Sequence, residues 1–157
     1  MKVGNIVIVA NLGELKVYEA MPRDLEAEAG MKPANVKLDL VDEKRYSESH
    51  QKLHEILTDQ AGRFKGGGQG RGASFTRGSI GDRHTIEQEI EESVLRELST
   101  DISEIITKKS VPVYLAMPDM IFKRVMDRIL PEAKQKVAKT VEKDLMKVNK
   151  TELPELF

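Results

Sequence analysis

Asn5-Ile6-Val7-Ile8-Val9-Ala10-Asn11-Leu12-Gly13-Glu14-Leu15-Lys16-Val17-Tyr18 is the stretch that decides the fold. Ile6 to Ala10 is continuous, apolar and mostly β-branched, the pattern of a buried strand. Asn11-Leu12-Gly13 supplies turn chemistry. From Glu14 to Met21 the chain alternates loosely, with Leu15, Val17 and either Tyr18 or Ala20 apolar. That pattern predicts a second strand, paired antiparallel to the first through a short turn. Pro22 stops it.

Outward from this hairpin, residues 23–34 hold Gly30, Pro33 and many charges, and read as a loop or one short helical turn. Val36-Lys37-Leu38-Asp39-Leu40-Val41 alternates, so it predicts a strand with one wet face. Residues 44–58 are ambiguous; Tyr46, Leu53, Ile56 and Leu57 can share a helical face. The clearest helix follows Thr85, a good N-cap, with Gln88 three residues on completing a capping-box pattern. Ile86, Ile90, Val94, Leu98 and Ile102 recur at steps of four, and Leu95, Ile105 and Ile106 widen the stripe. Glu87, Glu89, Glu91 and Glu92 read as its outer face, placed near the positive end of the helix dipole, with Lys108 and Lys109 near the negative end.

Val111 to Ala116 is a short apolar strand. Pro118 suits the first turn of a helix carrying Ile121, Phe122, Val125, Ile129 and Leu130, which Pro131 ends. Met117, Met120 and Met126 read as core filler. Val137 to Val141 is a last strand, and Thr151 is placed to cap a final turn. The order β-β-β-loop-α-β-α-β predicts an α/β fold: a mixed β-sheet of about five strands with helices packed on it.

The 157 residues suit a single domain spanning 1–157. Hydrophobic residues make up 39% and charged residues 32%, a globular balance with a charge-rich surface. There is no cysteine, which excludes thiol chemistry, disulfides and thiolate metal sites. The N-terminal apolar run is too short for a membrane span and lacks a cleavage context, so a cytoplasmic protein is expected.

Net charge is -1, but its distribution is uneven. Arg63, Lys65, Arg71, Arg77 and Arg83 face a single acid, Asp82, over residues 63–83, a local +4 that leaves -5 for the rest. Residues 61–82 also hold eight of the eleven glycines. Such a stretch is expected to be a long, exposed, flexible loop, able to meet phosphates without making the whole protein adhere to them.

Gly67-Gly68-Gln69 lies inside that stretch, and Arg83-His84 follows it into the long helix. With the opening hairpin and third strand before them, these pieces resemble the middle, catalytic domain of archaeo-eukaryotic class I release factors. The chain is also similar, over about its full length, to a bacterial family labelled as proteins required for attachment to host cells. That likeness rests on Thr58-Asp59-Gln60-Ala61-Gly62-Arg63-Phe64, Val113-Tyr114-Leu115-Ala116-Met117-Pro118 and Val141-Glu142-Lys143-Asp144-Leu145. Those bacterial proteins are themselves regarded as release-factor-like, so both resemblances imply one fold.

The first resemblance implies a free-standing domain that engages the ribosome or tRNA. If it is an enzyme, it is a peptidyl-tRNA ester hydrolase with Gly67, Gly68 and Gln69 as catalytic residues. Two glycines let the backbone approach a substrate closely, and the residue-69 N–H can donate to charge developing on the ester. Arg63, Lys65, Arg71, Arg77, Arg83 and His84 are then the RNA-binding set, acting on phosphates. The chain has no room for codon-reading or partner-binding domains. Gly66 and Gly70-Arg71-Gly72 also make the surroundings of the motif more glycine-rich than the release-factor pattern. The second resemblance implies the alternative: a non-enzymatic binding protein involved in attachment to host cells.

Other readings are weaker. His50 and His54, four apart with Glu48 and Glu55 nearby, lack a third metal ligand of convincing spacing and read as a solvated face. The glycines match neither a P-loop nor a dinucleotide fingerprint. No metal, cofactor or membrane partner is expected, and oligomeric state is not readable.

Overall fold

The structure is a computed structural model that describes residues 1–32, 34–46 and 80–157; the side chains of residues 80–84 and 86 lie outside that description. Its elements in chain order are β1 (Ile6–Ala10), β2 (Glu14–Pro22), α1 (Leu25–Glu28), β3 (Val36–Arg45), α2 (Ile80–Lys108), β4 (Val113–Ala116), α3 (Asp119–Arg128), α4 (Pro131–Lys136), β5 (Val137–Val141) and α5 (Leu153–Leu156). The five strands form one sheet in the order β3-β2-β1-β4-β5. β1–β2 and β2–β3 pair antiparallel, while β1–β4 and β4–β5 pair parallel. This is the mixed α/β sheet that the element order predicts.

Every residue of β1 is buried because it is the central strand, covered on both faces. Ile6, Ile8 and Ala10 face one core with Leu15, Val17, Val94, Leu98, Ile102 and Ile106, under α2, α3 and α4. Val7 and Val9 face a second core with Tyr18, Ala20, Val36 and Leu38, closed by Leu145 and Leu153 of the C-terminal tail. The hairpin turn is fixed by Asn11, whose Oδ1 accepts from the Gly13 N–H (2.8 Å) and the Glu14 N–H (2.9 Å). The apolar stripe of α2 is confirmed from Ile90 to Ile106.

Several expectations need correction. α2 begins at Ile80, so Thr85 is inside it and does not cap it. Gly81 lies in the first turn, and even in a helix interior a glycine costs only about 1 kcal/mol. Residues 80–82 of the predicted 61–82 loop are therefore helical, and 61–79 lie outside the described residues. The dipole effect fades within the first turn, so Glu87 to Glu92 are not its complement. Tyr46 is not on a helix: it directly follows β3 and is completely buried. β3 runs on to Arg45 through a bulge, with Val17 opposite Asp42 and Tyr18 opposite Leu40, so Val41 is the extra residue and Leu40 and Val41 are half-exposed.

In the second half, Pro118 occupies the N-cap position of α3, α3 stops at Arg128, and Pro131 opens α4 rather than closing α3. Met117 is core and Met126 packs against it, but Met120 is 87% exposed. Glu152, not Thr151, occupies the N-cap position of α5, and its side chain makes no capping bond.

Candidate functional site

β1 and β4 lie side by side and parallel, yet the chain leaves them in opposite directions: from β1 toward β2, and from β4 toward β5. Connections that diverge in this way open a crevice at the carboxyl ends of the two strands, where open α/β sheets place their ligands. Here that crevice measures about 370 Å³. Leu12, Pro118, Met120 and Ile121 give it apolar walls, and Asn11, Glu91 and Arg124 give it a polar rim. Each is brought there by an element end: the turn after β1, the fourth strand running into α3, and the inner flank of α2.

The rim groups already hold one another. Arg124 donates to the carboxylates of both Glu91 and Glu92, and Arg128 Nη2 donates to Glu92 Oε2 at 2.6 Å. Arg128 Nη1 also donates to the Arg124 carbonyl at 2.8 Å. The hydrogen bond from Arg124, with Arg128 beside it, holds the Glu92 carboxyl below the usual carboxylate range. The same bonds, to Glu92 first and then Glu91, push the Arg124 guanidinium up. Asn11 Nδ2 reaches Asp144 Oδ2 of the C-terminal tail at 3.4 Å.

A second polar cluster ties the end of β3 to α2. The Tyr46 phenol donates to Asp101 Oδ2 at 2.8 Å, and Lys44 Nζ meets the same oxygen at 2.7 Å and Glu97 at 2.9 Å. Burial, and then the bond to Asp101, drive the Tyr46 phenol far above its ordinary range. Burial opposes the Lys44 ammonium, but its bonds to Asp101 and Glu97 outweigh that and raise it. The Tyr46 N–H donates to the Gly13 carbonyl at 2.8 Å, within the hairpin turn.

These ties place both ends of the stretch between Tyr46 and Ile80. β3 is parallel to β1, since each is antiparallel to β2, so it ends at the carboxyl edge. α2 passes the crevice at Glu91 and reaches the opposite edge, where β4 starts. Its beginning is therefore at the carboxyl edge too.

Of the expected site residues, Arg63, Lys65, Gly67, Gly68, Gln69, Arg71 and Arg77 lie outside the described residues, as do His50 and His54. Arg83 and His84 fall in the first two turns of α2, and their side chains are not described. Among the described residues no group of three or more acids or histidines is arranged to hold a metal. The Ser99 and Ser103 hydroxyls are spent on the Leu95 and Ser99 carbonyls. The described residues that line the crevice include no serine, threonine or histidine. Sequence reading missed Arg124 and Arg128; their i, i+4 spacing on α3, matched to the adjacent Glu91-Glu92 pair, was the available signal. No described helix is long and apolar enough to cross a membrane.

No curated protein and no solved structure matches the chain. A family model described as "Protein required for attachment to host cells" matches residues 6–156, nearly the whole sequence. The chain belongs to that family.

Proposed function

We propose that the protein is a free-standing release-factor-like domain that engages the ribosome or tRNA from the carboxyl edge of its sheet, with Gly67-Gly68-Gln69 as the reactive segment. One observation supports the reading: the described residues on either side of the stretch that bears this motif, Tyr46 after β3 and the beginning of α2, both lie toward the carboxyl edge of the sheet, where the crevice at the ends of β1 and β4 opens. The order hairpin, third strand, Gly-Gly-Gln, long helix is the one the release-factor resemblance requires. The basic residues Arg63, Lys65, Arg71 and Arg77 share that stretch, so its charge suits RNA phosphates while the acidic body limits non-specific adhesion.

The chemistry asks little of the body. Water attacks the ester carbonyl linking peptide to tRNA, and the residue-69 N–H stabilises the oxyanion; the acyl C–O bond then breaks, releasing the peptide as its carboxylic acid and the tRNA ribose hydroxyl, whose oxygen takes up the proton the water gives up, while Gln69 shapes the pocket for the water. The test is hydrolysis of peptidyl-tRNA on purified ribosomes, with Gly68→Ala and Gln69→Ala alongside. Losing one such donor geometry costs about 10²-fold or more in rate; that loss with ribosome binding retained is the expected outcome. An unmutated protein that neither binds nor hydrolyses removes the enzyme.

The family description favours a second reading, a non-enzymatic protein that serves attachment to host cells. Fractionation separates the two. Recovery with ribosomes supports the first, and recovery at the cell surface supports the second.

A further inference from the structure

The walls of the crevice at the ends of β1 and β4 are apolar: Leu12, Pro118, Met120 and Ile121. Its volume of about 370 Å³ falls within the range of small-molecule sites. A second cavity of about 440 Å³ shares Glu91 and Arg124 with it and adds Gln88 and Glu92. Glu91 and Arg124 therefore line both an apolar space and a polar one.

Three features of the polar groups restrict what fits. The first is charge. The two cavities carry the carboxylates of Glu91 and Glu92 against the single guanidinium of Arg124. That guanidinium already donates to both carboxylates, and Arg128 holds the other oxygen of Glu92. A phosphate or carboxylate would have to break these charge-assisted bonds and then sit beside two like charges. The second is Glu91. Its Oε1 meets Arg124, while Oε2 has no partner among the described residues and is left to accept from a hydroxyl or amine. The third is Asn11. Its Oδ1 accepts the Gly13 and Glu14 N–H groups, which fixes the amide with Nδ2 as the group left to donate. The described partner of Nδ2 is Asp144 Oδ2 at a long 3.4 Å.

A neutral ligand with an apolar face, an acceptor at its edge and a hydroxyl meets all three conditions. We propose that the crevice takes a ribonucleoside, with its base between the apolar walls, a base acceptor on Asn11 Nδ2 and a ribose hydroxyl donating to Glu91 Oε2. A base taken out of a stack is held between apolar side chains and read at its edge. Met120 is a pliable side chain for such a contact, and acidic side chains accept from ribose hydroxyls. The source of the nucleoside rests on the function proposed above. There the ester is carried by one hydroxyl of a tRNA ribose, and the neighbouring hydroxyl is the one left to reach Glu91.

The common ribonucleosides are titrated in turn into the full chain, followed by NMR. At least one should shift the Asn11 side-chain amide and the Met120 and Ile121 methyls, saturating with a Kd of about 1 mM or tighter. Its 2′,3′-dideoxy form should bind about tenfold more weakly, the scale of a lost bond to a carboxylate. Met120→Glu alters a side chain that is 87% exposed, so the core is untouched; it should weaken binding by a similar factor. No shift with any ribonucleoside, or equal affinity for the dideoxy form, overturns the assignment. In the peptidyl-tRNA assay, Met120→Glu should lower hydrolysis several-fold, and unchanged hydrolysis overturns tRNA as the source. If the unmutated protein neither binds ribosomes nor hydrolyses, the function proposed above falls, while the titration still decides the crevice.

Discussion

Tyr46 shows how much one side chain can hold. Its ring is fully buried in the helix-covered core, its N–H closes onto the hairpin turn, and its hydroxyl ends on Asp101. Tyr46→Phe keeps the ring and loses one hydrogen bond to a charged partner, so it should cost about 1.5–3 kcal/mol, read as a fall in the urea midpoint at constant slope. Sequence periodicity put this residue on a helical face because apolar positions at 46, 53, 56 and 57 fit one; the deciding partner, Asp101, is 55 residues away and no local pattern reports it. Glu92 allows a pH test. Its folded carboxyl is held low, so its contribution is present above the unfolded value and is lost as pH falls through the folded one. The stability gap between wild type and Glu92→Gln should be constant near pH 7 and should close in acid, measured by denaturation at a series of pH values.

At the scale of elements, the hairpin, the order of the strands and of the two longest helices, and the buried stripe of α2 were legible, because each is written in local periodicity; the short α4 was not. Boundaries were less so. A capping box at Thr85 and Gln88 competed with plain helix propagation, and propagation won because a glycine in the first turn is tolerated. Met120 resembled core filler by type, yet it sits on the open side of the first turn of α3. The far end of α2 is closed by a residue with no sequence signal for that role. Lys136 Nζ donates to the carbonyls of Ile106 (3.3 Å), Thr107 (3.0 Å) and Lys109 (2.8 Å). Carbonyls at a helix end lack partners along the chain; Lys136 supplies one here, sharing the Ile106 carbonyl with the Lys109 N–H at 3.3 Å. Lys136→Met keeps most of the stem and removes the charge, and should cost about 1–3 kcal/mol in the same denaturation assay.

Across the whole molecule, the sheet is covered unequally. Among the described residues, three helices close one face, while the other is closed by the tail through Leu145, Leu153 and Phe157, whose ring meets Tyr114 edge-on at 5.8 Å. Leu153 is completely buried there, so Leu153→Ala should cost about 2–5 kcal/mol and show in the thermal midpoint. The tail's apolar residues, at 145, 148, 153 and 156, keep no one strand or helix period along its length, so its role in closing this face is not legible in the sequence. The candidate site divides in the same way. Gly67-Gly68-Gln69 and the run of basic residues are the sequence's contribution to the proposed site and lie outside the described residues, whereas the crevice at the diverging ends of β1 and β4 emerges only from strand order.

Cosedimentation of the unmutated protein with purified ribosomes over a salt series tests that account most directly. It predicts pelleting with ribosomes at low salt, with affinity falling as salt rises and a shallower slope once Arg63, Lys65, Arg71 and Arg77 are neutralised. Protein that stays in the supernatant at every salt concentration contradicts it.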